Sequence, residues 1–274
     1  MELRDRVAVV TGAGSGIGAA MARALAREGM RVAVADIDAA SAGAVARELA
    51  QRGGRARAWR ADVGQAASLT ALAEGTREAF GPCAVLCANV GVQQLGRLER
   101  LTDPDWEWLL AVNVMGTVHT LQAFLPQLRE AGRSQVVVTA STQALLPVPH
   151  LGGYTASKFA VLGYAETLRL ELAPEGIGVT VLLPGPTATG HLASSGRARP
   201  QALGPSRTEP EDLPAVTAAT LASPADLVEP DFAVRELARA IREDWPYLVT
   251  HPPQREGVAE RFRAILEAFD RARD

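Results

Sequence analysis

The sequence predicts an α/β protein: a single domain on a doubly wound, mostly parallel sheet of about seven strands, with helices on both faces. Three observations predict it. Short apolar, β-rich runs recur along the 274 residues, segments of helical length separate them, and the first run passes directly into a glycine-rich turn.

Residues 7–11 (VAVVT) are apolar nearly throughout, as a strand buried on both faces must be. A glycine turn at 12–18 follows, and an amphipathic helix is expected over 17–28. Strands at 31–36 and 56–61 and helices over 41–52 and 66–80 repeat the βα unit. Further strands are expected at 84–88, 135–141 and 178–183, with long helices near 105–128 and 152–172. A last strand falls at 247–250 and a last helix at 260–271. Between 184 and 230 the texture changes, because eight of the seventeen prolines stand there among Ser, Gly and Ala. Regular structure is reduced to one short helix near 213–221, and residues 190–230 are expected to form a substrate lid within the single domain 1–274.

Bulk properties exclude several partners. A net charge of -3 gives no broad attraction to phosphate backbones, so no nucleic acid is expected. Cys83 and Cys87 stand in one CxxxC spacing, which frames neither a zinc site nor a secreted disulfide scaffold. His119, His191 and His251 are scattered without ligand spacing, so no metal is expected. The charged start and the lack of an apolar run of about 18 residues predict a soluble cytoplasmic protein without a membrane partner.

The turn Gly12-Ala13-Gly14-Ser15-Gly16-Ile17-Gly18 lies between strand and helix, where backbone N–H groups can approach a pyrophosphate at the positive end of a helix. Asp36 ends the next strand, about 20 residues on, and suits the adenosine ribose hydroxyls. A 2′-phosphate beside it would meet repulsion of about 4 kcal/mol at ~4 Å and an effective dielectric of ~20. No Arg or Lys stands at 15 or 37 to compensate, so the expected cofactor is NAD.

Tyr154 and Lys158 are four residues apart on a helical pattern, hence on one face. A phenol that works at neutral pH needs its pKa lowered by about three units, about 4 kcal/mol, much of which Lys158 and the charge of oxidised nicotinamide could contribute together. Ser141 ends a strand at the sheet edge where ligands of parallel sheets bind.

With these motifs, and with Pro184-Gly185 after the sixth strand, the chain resembles the short-chain dehydrogenase/reductase family over residues 5 to about 190. The resemblance implies a single-domain Rossmann fold and a tetrad. Asn113 would hold a helix carbonyl and a water, Ser141 would orient the substrate oxygen, Tyr154 would be acid and base, and Lys158 would hold the cofactor ribose. It implies cofactor contacts at Gly12, Ser15, Gly16, Ile17, Gly18, Asp36, Asp62, Val63, Asn89, Gly91, Tyr154, Lys158, Pro184 and Gly185, with Thr187 or Thr189 on the nicotinamide carboxamide. This chain has Ala88-Asn89-Val90-Gly91 where the family commonly reads Asn-Asn-Ala-Gly, and Pro186 is an addition after Pro184-Gly185.

The expected activity is hydride transfer between NAD(H) and a hydrophobic secondary alcohol or ketone, with Gln93, Leu95, Leu145, Val148, His150 and Leu192 lining the substrate pocket. His150 is either a donor to substrate or an exposed loop residue. Residues 250–252 and the helix after them are similar to family members acting on bulky aryl alcohols. Two rival readings remain: an NAD-binding regulator without turnover, against which the full tetrad argues, and an NAD-dependent epimerase or dehydratase, for which 274 residues leave little room. A homotetramer or homodimer is expected through the long helices near 105–128 and 152–172.

Overall fold

The computed structural model describes residues 1–221 and 223–272; Ala222 of the expected lid and the last two residues of the expected domain lie outside the described residues. Seven strands form one sheet in the order β3-β2-β1-β4-β5-β6-β7, every neighbouring pair parallel. They are β1 (Val7–Thr11), β2 (Arg31–Asp36), β3 (Arg55–Arg60), β4 (Cys83–Ala88), β5 (Ser134–Thr139), β6 (Ile177–Leu183) and β7 (Tyr247–Val249). Each expected strand is present, those at 7–11 and 31–36 unshifted and the others with ends moved by one or two residues. Ser141 is the largest displacement in consequence, standing two residues past the strand and capping a short turn at Thr142–Ala144.

The sheet is apolar on both sides because its central strands alternate between two cores. Val7 and Val9 join one cluster with Phe124, Leu128 and Val136. Ala8 and Val10 join the opposite one with Met21, Leu25 and Val137. Side chains two apart share a face, so a strand without polar positions must be covered twice. The helices supply both covers. On one face lie α1 (Gly16–Arg27) and α2 (Ala39–Gln51), on the other α3 (Ala66–Phe80). Asp38 caps α2 by accepting from the N–H groups of Ala40 and Ser41, which starts that helix two residues earlier than periodicity alone suggested. Both α2 (Ala42, Val45, Ala46, Leu49) and α3 (Leu69, Leu72, Ala73, Thr76) bury residues at i, i+3, i+4 and i+7.

The expected helix near 105–128 is interrupted. It consists of α4 (Asp103–Leu110), one π-helical turn at Ala111–Met115, and α5 (Gly116–Glu130). Together Asp103–Glu130 are long and apolar enough to cross a membrane, but Trp108, Leu109, Leu121, Phe124 and Leu128 face the protein core. The 21-residue α6 (Gly152–Leu172) packs beside them. The segment after β6 is more ordered than its prolines suggest, with α7 (His191–Ala198), α8 (Asp212–Thr220) and α9 (Pro230–Ala233). The chain continues through α10 (Leu237–Glu243) and ends in α11 (Arg255–Arg271), which starts five residues before the expected 260 and has no buried residue.

Candidate active site

All seven strands point the same way, so the loops after β1, β2, β4, β5 and β6 gather at one edge, and the strand order reverses between β1 and β4. The turn after β1 fits a pyrophosphate. Gly12 has φ +64°, and a Cβ on Gly18 would stand 2.1 Å from the Gly12 carbonyl oxygen, so helix and turn approach as only glycine allows. Ser15 caps α1 without a side-chain bond and Ile17 is half-buried, leaving the first N–H groups of a 12-residue helix unengaged by its cap. Asp36 accepts from the N–H of Gly14 at 2.9 Å and from that of Asp38 at 3.0 Å, one bond on each carboxylate oxygen. Asp62 is half-buried and accepts from the N–H of Gly64, while Val63 is buried against Gly116. Asn89 joins three strand ends, donating to the Thr11 carbonyl at 3.2 Å and accepting from Thr139 Oγ1 at 3.0 Å.

The four expected catalytic side chains meet at this edge. Tyr154 is 8 % exposed, and the Lys158 ammonium lies 5.6 Å from its ring centroid. Lys158 donates to the Thr139 carbonyl at 2.9 Å, and a Cβ on Gly91 would stand 3.1 Å from its nitrogen. Ser141 lies close enough to the Tyr154 hydroxyl to lower its pKa. Its Oγ donates to Gln143 Oε1 at 2.6 Å and accepts from the Gln143 N–H at 3.2 Å. Asn113 sits in the π-helical turn, and its side chain grips Val92 twice, accepting from the N–H at 2.7 Å and donating to the carbonyl at 2.9 Å. It also donates to Ser157 at 2.8 Å, so the side chain orders the loop after β4.

Electrostatics run opposite to the simple expectation for the pair. Burial pushes the Tyr154 phenol up to about 12, with Ser141 pulling the other way, and burial pulls Lys158 down to about 8. The ammonium stands over the ring with a proton on a backbone carbonyl, and both groups lose water, so desolvation outweighs attraction in the protein alone.

Described segments between 184 and 230 contact this edge. Gln93 donates its N–H to Ser195 of α7 at 3.0 Å, and Arg199 reaches Gln94 at 2.5 Å and Asp105 at 2.6 Å. Val216 of α8 packs with Leu95, Val148 and Leu151 around Tyr154. Of the expected pocket residues, Leu95 and Val148 therefore lie together beside the phenol. Leu145 packs against the main core, Leu192 is 37 % exposed on α7, and Gln93 lies beneath that helix. His150 is neither an exposed loop residue nor free at Nδ1, which lies 2.5 Å from the carboxylate of Asp212 on α8. Thr189 touches the glycine turn, with its Cγ2 3.1 Å from where a Gly16 Cβ would be, whereas Thr187 turns back to the Gly185 carbonyl.

Residues 6–200 match the profile of the short chain dehydrogenase family. The chain belongs to that family. The dehydrogenase is 38% identical over 196 residues to D-threitol dehydrogenase of Mycolicibacterium smegmatis, covering 71% of this chain and 75% of that one. It is 37% identical over 183 residues to 3-alpha-(or 20-beta)-hydroxysteroid dehydrogenase of Mycobacterium tuberculosis, covering 67% and 69%. A short chain dehydrogenase/reductase from Burkholderia phymatum, solved in complex with NAD, superposes with a TM-score of 0.90 at 33% identity, covering 98% of this chain and 96% of that one.

Several residues of this short-chain dehydrogenase escaped the sequence reading. Gln143, which positions Ser141, stands two residues past it and could have been found by its place in the turn. His251 is buried: Nδ1 accepts from the Gly185 N–H at 3.0 Å, Nε2 lies 2.8 Å from the Pro186 carbonyl, and a Cβ on Gly185 would stand 2.5 Å from the ring. It fixes the loop after β6 from 65 residues away, and no local pattern announces that. The same holds for His191, whose ring centroid is 6.0 Å from that of Tyr154.

Proposed function

We propose that this dehydrogenase transfers a hydride between NAD(H) and a hydrophobic secondary alcohol or its ketone, with Tyr154 as proton donor and acceptor. The observation that carries this reading is the buried group Ser141, Tyr154 and Lys158, set between the glycine turn and the apolar side chains Leu95, Val148, Leu151 and Val216. Relatives named for threitol and hydroxysteroid oxidation, and a structural neighbour holding NAD, support it.

Gly12, Ser15, Gly16, Ile17 and Gly18 would hold the pyrophosphate, Asp36 the adenosine ribose, Asp62 and Val63 the adenine edge, and Asn89 and Gly91 the adenosine side. Lys158 would hold the nicotinamide ribose, and Pro184, Gly185, Thr187 and Thr189 would border the carboxamide. The carboxylates of Asp36 and Asp38 stand at the same strand end and disfavour a 2′-phosphate, which supports NAD over NADP. When bound, the nicotinamide supplies the hydride acceptor or donor. Tyr154 takes the hydroxyl proton in oxidation and returns it in reduction. Ser141 turns its proton from Gln143 Oε1 to the substrate oxygen while the Gln143 N–H still holds its Oγ. Asn113 keeps the loop after β4 in place. Residues 190–230 act as the lid, excluding water from a site whose charges work better dry.

The same reading carries a homodimer or homotetramer through α4, α5 and α6, where Leu110 and Leu170 are exposed, and a cytoplasmic setting for two buried free thiols. The test is absorbance at the reduced-nicotinamide band with NAD and a series of lipophilic secondary alcohols. Net NADH formation is expected, and Tyr154→Phe is expected to lose at least about a thousandfold in kcat while binding NADH as before. No NADH formation across the series rejects the reading, and a folded Tyr154→Phe that still turns over rejects the assigned acid and base.

A further inference from the structure

His191 carries a polar atom that nothing in the fold uses. Its Nε2 is buried and has no hydrogen-bond partner among the described residues, in a protein class where buried polar atoms almost always have one. The ring stands edge-on to Tyr154 at 61°, with centroids 6.0 Å apart. Its backbone is fixed on both sides: the N–H donates to Thr189 Oγ1 at 3.3 Å, and the carbonyl accepts from Ser195 Oγ at 2.7 Å and Ser194 Oγ at 3.0 Å. The ring is therefore presented rigidly at the first turn of α7, which itself sits on Gln93. Burial first, and the charge of Lys158 second, hold its pKa down at about 4, so it is neutral and offers each nitrogen as donor or acceptor by choice of tautomer. Apolar side chains, Leu95, Val148, Leu151 and Val216, pack against Tyr154 as well.

We propose that His191 Nε2 reads a second oxygen on the substrate, so that the preferred substrates carry a hydroxyl or carbonyl close to the reacting carbinol. The proposal rests on the dehydrogenase reading above and narrows its substrate class from plain lipophilic alcohols to those with one neighbouring oxygen function. A polar atom placed in an apolar lining discriminates strongly, because a substrate lacking the matching group leaves that atom unpaired.

The test compares butane-2,3-diol with butan-2-ol. With NAD and the wild-type protein, kcat/KM is expected to favour the diol by about tenfold or more. In His191→Phe that ratio is expected to collapse toward one, and in His191→Gln, which keeps an N–H and an oxygen nearby, to be retained in part. An unchanged ratio in a folded His191→Phe overturns the proposal. A parallel loss of NADH affinity by fluorescence titration also overturns it, since the nitrogen then belongs to the cofactor. A second readout needs no turnover: the imidazole 15N resonances of His191 in the NADH complex are expected to move with the diol and not with the mono-alcohol. Movement without hydride transfer removes the dehydrogenase reading and with it the substrate assignment, leaving only a diol contact at His191; hydride transfer without movement overturns the proposal and leaves that reading standing. Absence of both overturns each.

Discussion

Asp36 holds the glycine turn through Gly14 and its own loop through Asp38, and each carboxylate oxygen keeps a lone pair for a ribose hydroxyl. Asp36→Ala is expected to narrow the ratio of kcat/KM for NAD over NADP by about tenfold or more, as loss of one charge-assisted contact and one repulsion implies. Initial rates with each cofactor measure it, and an unchanged ratio removes the ribose role. Tyr154 makes a prediction about pH. With the phenol pushed up to about 12 in the protein alone, it is protonated at neutral pH and ready to donate, so ketone reduction is expected to run well near neutrality. Alcohol oxidation needs the phenolate and is expected to speed up steadily into the alkaline range, with the positive charge of oxidised nicotinamide bringing the apparent pKa down. A profile of oxidation that falls above pH 7 contradicts this. His191 bears on acid stability. Its pKa is lowered from 6.5 to about 4, so between those values the unfolded chain binds a proton that the folded one refuses, and stability falls as pH falls through that window. The loss is on the order of 3 kcal/mol. Denaturant midpoints at pH 7 and pH 4 for wild type and His191→Gln measure it, and equal acid losses in the two would contradict the assignment.

At the scale of elements, two interruptions of regular structure matter most. The π-helical turn at Ala111–Met115 adds a residue to the helix at the position where Asn113 must face Val92 and Ser157 together. Such turns leave backbone carbonyls without their usual helical donor and occur often at functional sites. The helix 105–128 was legible as apolar and periodic, but the extra residue was not, because a π turn is selected by what its side chain meets across the fold. The covering segment behaves similarly. Its prolines suggested little regular structure, yet two polar contacts seat it on the body: the buried pair of Arg199 with Asp105, and buried Asp212 with half-buried Arg100 and, at 2.5 Å, His150 Nδ1. The Arg199 and Asp105 side chains are 7% and 1% exposed, and removing one partner of such a pair costs about 3–5 kcal/mol because the other charge stays buried. Arg199→Ala is therefore expected to open the segment, giving faster hydrogen exchange over residues 190–220 and a higher KM for substrate. Exchange rates equal to wild type would show that the helices themselves, not this contact, hold the segment down.

At the scale of the whole molecule, exposed apolar side chains on the helices bear on assembly. Leu110, Met115 and Leu170 are exposed along the α4 to α6 side, and α11 exposes Phe262, Leu266 and Phe269 on a helix with no buried residue. Multi-angle light scattering is expected to give a dimer or tetramer, and a monomer at micromolar concentration would end the assembly proposal. The sheet was legible in the chain alone, because strands covered on both faces must be apolar at nearly every position, and such runs are visible in β1 and β4 without knowing their neighbours. The glycine turn and the Tyr154 and Lys158 pair were legible too, since a strand-to-turn-to-helix junction and a four-residue helical spacing are local geometry. Packing across the fold sets Gln143 on Ser141, His251 on Gly185, His150 on Asp212 and the edge of His191 against Tyr154. Apart from Gln143, these contacts join residues 37 to 66 positions apart. A buried polar group takes whichever partner chain folding brings within hydrogen-bond reach, and that choice follows from packing across the fold rather than from spacing along the chain.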